Sequence, residues 1–209
     1  MKKFTFLLAP RFAMPAARFL KVVCYVVMAF MLASLLLSVL GRLTFTLYSP
    51  EGNFERAIYA EDVHGQEGAR SLLITIEDQI RITANRAGGI DFATHLGLCL
   101  IAALQILPVT VAYWFLSRLF DNIGRGEFFV RQNAHNLLYY GLLEGFAAVC
   151  VPFLKLFAAF LVNLVTESSI SLATGANMLQ TLMPSIAFLV AASIIEYGIS
   201  LQDEVDHTL

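Results

Sequence analysis

The stretch Val22 to Leu40, VVCYVVMAFMLASLLLSVL, runs 19 residues without a charge, and three more apolar runs follow it. These are roughly Leu96 to Leu116, Leu137 to about Val165, and Met178 to Ile195. About 20 apolar residues, rising about 1.5 Å each in an α-helix, cross the ~30 Å hydrocarbon core of a bilayer. Barrel strands would instead need ~10 residues of alternating polarity, which these runs lack. Charged residues make up 14% of the chain, against about 25% in a soluble domain, and the deficit is concentrated in the four runs. The fold class expected is therefore an all-α integral membrane protein. It has four transmembrane helices and a small extracytoplasmic insertion, a possible β-hairpin, between helices 1 and 2.

The expected order forms one domain. Residues 1–21 are a basic N-terminal segment, 22–41 the first span and 42–92 the large loop. Residues 93–116 are the second span, 117–136 a short loop and 137–165 the third span. A short loop at 166–177, a fourth span at 178–197 and an acidic tail at 198–209 complete it. The first run is longer than the usual signal-peptide core of ~7–15 residues, and GRLTFTLYS after it lacks a small-x-small site. An uncleaved anchor is expected.

Basic residues set the orientation. Lys2, Lys3, Arg11, Arg18 and Lys21 precede the first run without an acid, and Arg118, Arg125 and Arg131 lie between the second and third. The loop after the third run has no Lys or Arg, and five are spread among eight acids after the first. The positive-inside rule puts both termini and 117–136 in the cytoplasm of a bacterial inner membrane. The segment MKKFTFLLAPRFAMPAARFLK suits either a lipid-surface segment or a tail whose cations only orient the first span.

Within 42–92, SLLITIEDQIRIT alternates at Leu72, Ile74 and Ile76, then at Ile80 and Ile82, as two strands turning at 77–79 would. A helix over 71–86 is the other reading, because Leu73, Ile76, Ile80 and Thr83 share a helical face.

Charges inside the apolar runs cost about 2.5–3.5 kcal/mol each on insertion scales, so Glu144 and Lys155 call for a reason. Eleven residues apart on one helix, they share a face but are separated by ~16 Å of rise. One reading is a polar intramembrane cavity lined by Glu144, Lys155, Gln105, His95 and Glu196. The other sets Glu144 and Glu196 at the inner boundary, with Lys155 reaching outward along its own stem. Gly141 and Gly145 permit close helix packing. Pro108, Pro152 and Pro184 are expected to kink their helices.

Several chemistries find no support. Cys24, Cys99 and Cys150 form no Cys-x-x-Cys pair and are expected as small buried hydrophobes, with no metal and no cofactor. GRGEFF at 124–129 has no preceding strand and no G-K-[ST], so nucleotide binding is not expected. Ser168, Ser169 and Ser171 have no motif linking them to His64 or His95, and His207 lies in the opposite compartment. No enzyme is expected. The small net charge of −2 gives no reason for direct nucleic-acid contact.

From Gly126, the residues at +3, +7, +11 and +15 are Phe129, Asn133, Leu137 and Gly141. The C-terminal EYGISLQDEVDHTL carries Gly198, Leu201, Glu204, Asp206 and Thr208. In both segments, and in the four-helix layout, the chain resembles the bacterial membrane-protein family catalogued as domain of unknown function 2975. It departs from that pattern at Val130, where family members usually carry a Ser or Thr helix cap. Asp121 or Asn122 is the other expected start of a helical turn there. The resemblance implies no chemistry. It implies a membrane component of a regulatory pair, because such proteins are often encoded beside a helix-turn-helix regulator.

The leading expectation is thus a non-enzymatic membrane protein that contacts the lipid bilayer and a cytosolic regulatory protein. Arg125, Gly126, Phe129, Arg131, Asn133, Leu201, Asp203 and Asp206 are the candidate partner-binding residues. A small transporter or channel subunit using Glu144 and Lys155 is the alternative. The sequence leaves the oligomeric state open.

Overall fold

The computed structural model describes residues 10–40, 45–49, 52–58, 80–83, 91–172 and 178–208. Four long helices dominate: α1 (Pro10–Val39), α2 (Phe92–Gly124), α3 (Arg131–Asn163) and α4 (Met178–Thr208). All four are long and apolar enough to cross a membrane, as a multi-pass membrane protein requires. At 33 residues each, α2 and α3 are about 50 Å long, well beyond the hydrocarbon thickness. Pro15, Pro108, Pro152 and Pro184 all lie inside continuous helices.

The burial pattern supports a lipid setting. Along α1 the buried positions Ala17, Cys24, Met28, Ser34 and Ser38 form one narrow stripe, while Phe19, Val22, Phe30 and Leu36 stand exposed. On α3, Ala148, Val151, Lys155, Ala158 and Ala159 are buried, and Phe153, Phe157 and Phe160 are exposed. A helix that is apolar all round but packed on one stripe has its remaining surface matched to hydrocarbon. In water these faces would far exceed the apolar patches that soluble monomers tolerate.

The chain divides into two compact units, 1–30 with 108–148 and 178–209, and 31–107 with 149–177. In the first, Leu119, Leu137 and Ala192 form a core joined by Leu116, Leu138, Phe188 and Ile195. Small residues bring α3 and α4 together there. The Ser185 hydroxyl donates to the Gly141 carbonyl at 2.7 Å, and a Cβ on Gly145 would stand 2.8 Å from that same hydroxyl oxygen.

The second unit holds a four-stranded sheet in the order β2-β1-β3-β4. Its strands are β1 (Phe45–Ser49), β2 (Gly52–Ile58), β3 (Ile80–Thr83) and β4 (Ser169–Leu172). β1 and β2 form an antiparallel hairpin, β3 runs parallel to β1, and β4 closes antiparallel on β3 through Ile82 opposite Ile170. Alternation buries Ile80 and Ile82, which pack with Ile170, Leu98, Ile101, Ala158 and Ala159.

Three expectations change here. Ile80–Thr83 is a strand, which overturns the helix reading for those residues. Its described partners are β1 and β4; the other expected hairpin arm, 71–76, lies outside the described residues. The segment 166–177, expected as a plain loop, supplies β4. It is anchored from the helices. Asn163 gives its amide to the Ile170 carbonyl and takes the Ile170 N–H, acting as an added strand position, while Asp91 accepts from Glu167 N, Ser168 N and Ser168 Oγ. Finally, α1 begins at Pro10, so the described part of the basic segment continues the first helix.

Gly97 packs directly beneath Val162, whose γ-carbons a methyl at position 97 would overlap. Valine has little χ1 freedom in a helix and cannot swing aside. Gly97→Ala is expected to destabilise the detergent-solubilised protein by about 1–3 kcal/mol. Adding Val162→Ala should restore most of the lost melting temperature; a double variant that melts no higher than Gly97→Ala would contradict this packing.

Candidate functional site

The turn joining α2 to α3 gathers most of the residues singled out from the sequence. Its first half is a helix stop. Glu127 N donates to the Asn122 carbonyl and Gly126 N to the Ile123 carbonyl, both at 3.0 Å, with Gly126 at φ 90°. This is the 6→1 and 5→2 pairing of a Schellman motif, which needs a left-handed residue after the helix end. Glycine takes that conformation without a Cβ penalty. Here it also leaves space, since a Cβ would come 2.9 Å from Met14 Cε of α1.

Asn133 supplies the second half. It is fully buried, in the first turn of α3. Its Nδ2 donates to the Glu127 carbonyl at 2.7 Å and the Phe128 carbonyl at 3.0 Å, and its Oδ1 accepts from Asn122 Nδ2 at 2.8 Å. One side chain thereby satisfies two turn carbonyls and ties the end of α2 to the start of α3. α3 begins at Arg131, and the Val130 carbonyl accepts the Asn133 N–H at 2.8 Å. Asp121 and Asn122 end α2 and do not begin a new helical turn. The missing Ser or Thr cap is accompanied by this asparagine reaching backward from inside the helix.

Charges clamp the same region. Lys21 of α1 bonds Asp121 at 2.7 Å, Arg125 pairs with the same carboxylate, and Arg18 Nε donates to the Gly124 carbonyl at 3.2 Å. Arg131 reaches Asp203 in α4 at 2.9 Å. Arg118 lies over the Trp114 ring, 4.8 Å from its centroid. The sequence offers the segment of Arg18 and Lys21 either as a lipid-surface segment or as a tail whose cations only orient the first span; in the fold both side chains contact the protein itself. Their spacing of three along α1 was the available signal, but only the fold supplies Asp121 and Gly124 as partners.

The pattern residues now have distinct settings. Gly126 turns the chain, Asn133 bonds it, Leu137 enters the core and Gly141 admits α4. Phe129 is different, being 69% exposed on this well-bonded turn. Leu201 is also exposed, and Arg125, Arg131 and Asp203 are already in ion pairs. Asp206 lies in α4, with its side chain outside the described residues.

Of the five intramembrane polar candidates, Lys155 and Gln105 are bonded to each other, and Glu144, Glu196 and His95 have other neighbours. Glu144 stands one helical turn after Tyr140, whose ring meets Tyr113 edge-on at 6.2 Å and Phe188 at 4.8 Å. Glu196 lines an open groove of ≈ 550 Å³ between α3 and α4, with His135, Leu138 and Tyr197. Those residues belong to the first unit, and Lys155, Gln105 and His95 to the second. Lys155 is only 9% exposed, and its ammonium donates to Gln105 Oε1 at 3.2 Å, so it is turned inward and does not reach out to the lipid edge. His95 lies beside the end of α1, with Nε2 3.4 Å from the Val39 carbonyl.

The chain matches no protein-family model, no curated protein and no solved structure. The turn's chemistry therefore rests on its own geometry.

Replacing Asn133 by Leu keeps the volume and strands two carbonyls. Leaving one buried acceptor unpaired costs about 1–3 kcal/mol. Asn133→Leu should lower the melting temperature and expose the 125–130 turn to limited proteolysis, whereas Arg131→Ala should do neither, since exposed ion pairs contribute roughly 0.2–1 kcal/mol. Equal protease resistance in Asn133→Leu and wild type would refute the bonding role.

Proposed function

We propose that this chain is a non-enzymatic, four-helix protein of the bacterial plasma membrane, of the family catalogued as domain of unknown function 2975. On this reading both termini are cytoplasmic, residues 42–92 and 166–177 face the extracytoplasmic side, and the α2–α3 turn with the α4 tail docks a cytosolic regulatory protein. A helix-turn-helix regulator is the partner class that the family resemblance implies.

The observation that carries the reading is Phe129. A turn fixed by asparagine, glycine and ion pairs holds out a large aromatic side chain that the described fold leaves 69% exposed. Buried aromatic anchors dominate the energetics of protein interfaces, and a preorganised loop loses little entropy on binding. The basic residues support the orientation: Lys21, Arg18, Arg125 and Arg131 collect around this one turn. Arg131 and Asp203 remain more than half exposed despite pairing, and so are available to the rim of an interface.

A photo-crosslinking amino acid at position 129, in the full chain and in native membranes, tests the proposal. It should capture one defined soluble protein, and that adduct should fall at least severalfold when Arg131 and Asp203 are both changed to Ala. Crosslinks confined to lipid or to this chain would remove the docking reading.

A second reading, a small transporter or channel subunit, is favoured by one feature. Lys155 is an inward ammonium in an otherwise apolar stretch of α3, bonded to Gln105. Intramembrane charges of this kind mark ion or substrate paths. On that reading, ion flux in proteoliposomes should disappear in both Glu144→Gln and Lys155→Met; unchanged flux in the two variants would exclude it.

A further inference from the structure

The groove between α3 and α4 lies wholly within the first unit. Its floor is made by Ala134 and Ala192, both buried, whose methyl groups are too short to fill it. Its volume of ≈ 550 Å³ falls in the ~300–1,000 Å³ range of small-molecule sites. One end is polar, with His135, Glu196 and Ser200, and toward the other stand Leu138 and Ser193. That second end continues onto Leu142, one turn beyond Leu138, and Val190, one turn before Ser193, both of them exposed. In a membrane-spanning bundle such a groove runs from the border of the apolar runs into the hydrocarbon.

Its polar groups are not equally served. Ser193 and Ser200 donate their hydroxyls to the carbonyls of Leu189 and Tyr197 in their own helix. The Glu196 carboxylate and the His135 ring make no hydrogen bond or ion pair among the described residues. The basic side chains described in this unit are all engaged elsewhere. Lys21 and Arg125 pair with Asp121, Arg131 with Asp203, Arg18 bonds the Gly124 carbonyl, and Arg118 lies over Trp114. Glu196 directly follows the uncharged stretch Met178–Ile195. It lies two turns, about 10 Å of rise, inward of Asp203. An acid thus stands at the edge of the hydrocarbon without a cation from the described protein.

We infer that this groove binds a phospholipid whose headgroup ends in a primary ammonium, of the phosphatidylethanolamine class. The ammonium donates to the Glu196 carboxylate, and the phosphate accepts the N–H that the His135 ring carries in either tautomer. The acyl chains then follow Leu138, Leu142 and Val190 into the bilayer. Other occupants match fewer of these features. Phosphatidylglycerol has no cation to set against Glu196, and phosphatidylcholine has a cation without an N–H. A soluble amine leaves the apolar end unfilled. A basic side chain of a soluble protein has to enter from the end where Arg131 and Asp203 are already paired.

Native mass spectrometry of the full-length protein in detergent, with one lipid added at a time, reads the site. Phosphatidylethanolamine should be retained at one molecule per chain. Retention should fall stepwise through its N-methyl and N,N-dimethyl forms to phosphatidylcholine, because each methyl removes an N–H donor. Glu196→Gln, at an exposed position, should melt like wild type and weaken phosphatidylethanolamine retention about tenfold, the loss of one charge-assisted hydrogen bond. Ser193→Phe fills the groove without touching the acid or the ring, and should also lose the lipid. In native membranes, a photo-crosslinking amino acid at position 193 of the otherwise unchanged chain should form adducts with phosphatidylethanolamine. Equal retention of phosphatidylethanolamine and phosphatidylcholine, a preference undiminished in Glu196→Gln, or position-193 adducts confined to a soluble protein would each overturn the site. Binding here needs only the membrane setting of the helices and not a soluble partner, so lipid retention and the crosslink at position 129 can fail separately.

Discussion

Hydrocarbon offers the backbone no hydrogen-bond partner, and the rest of this architecture depends on that constraint. Each spanning segment has to satisfy its own N–H and C=O groups, which makes it a helix. Hydrocarbon also removes the hydrophobic force that drives helices together in water, so association depends on close contact and on polar bonds between helices. Ala and Ser recur in the buried stripes, and the Ser185 hydroxyl bonds the Gly141 carbonyl between α4 and α3. Large side chains such as Phe153 and Phe157 are left facing outward.

The polar ends of the helices follow a different logic. Beyond the apolar runs the helices continue, and their charged residues find one another: Lys21 of α1 with Asp121 of α2, and Arg131 of α3 with Asp203 of α4. Each pair is modest by itself. Together with Asn133 they hold one turn in one shape, and that fixed shape gives the exposure of Phe129 its meaning. On a loose loop an exposed phenylalanine would fold back onto the nearest apolar surface.

What the sequence reveals here depends on the range of the interaction. Apolar runs are local, so all four helices are legible, and the alternation of Ile80 and Ile82 marks a strand. Helix ends are not legible from hydropathy: α1 includes Pro10–Lys21, well before the uncharged run begins. β4 reads as a serine-rich loop until Asn163 and Asp91 are seen to bind its flanks. The pattern from Gly126 to Gly141 is visible as letters, but the role of Asn133 depends on two carbonyls and on Asn122, eleven residues earlier. His135 and Glu196 have no spacing that links them, since they come together only where α3 packs beside α4.

The Lys21–Asp121 pair joins residues 100 positions apart. At roughly 5–20 residues per second, α1 waits about 5–20 s during synthesis before its partner on α2 exists. Over that interval the first helix must be stable in the bilayer alone, with two basic residues near its start unpaired by protein. Its uncharged run from Val22 to Leu40 meets that demand. Lys21 reaches its partner only once α2 has been made, so this ion pair belongs to the assembly of the helices and not to the placing of the first one.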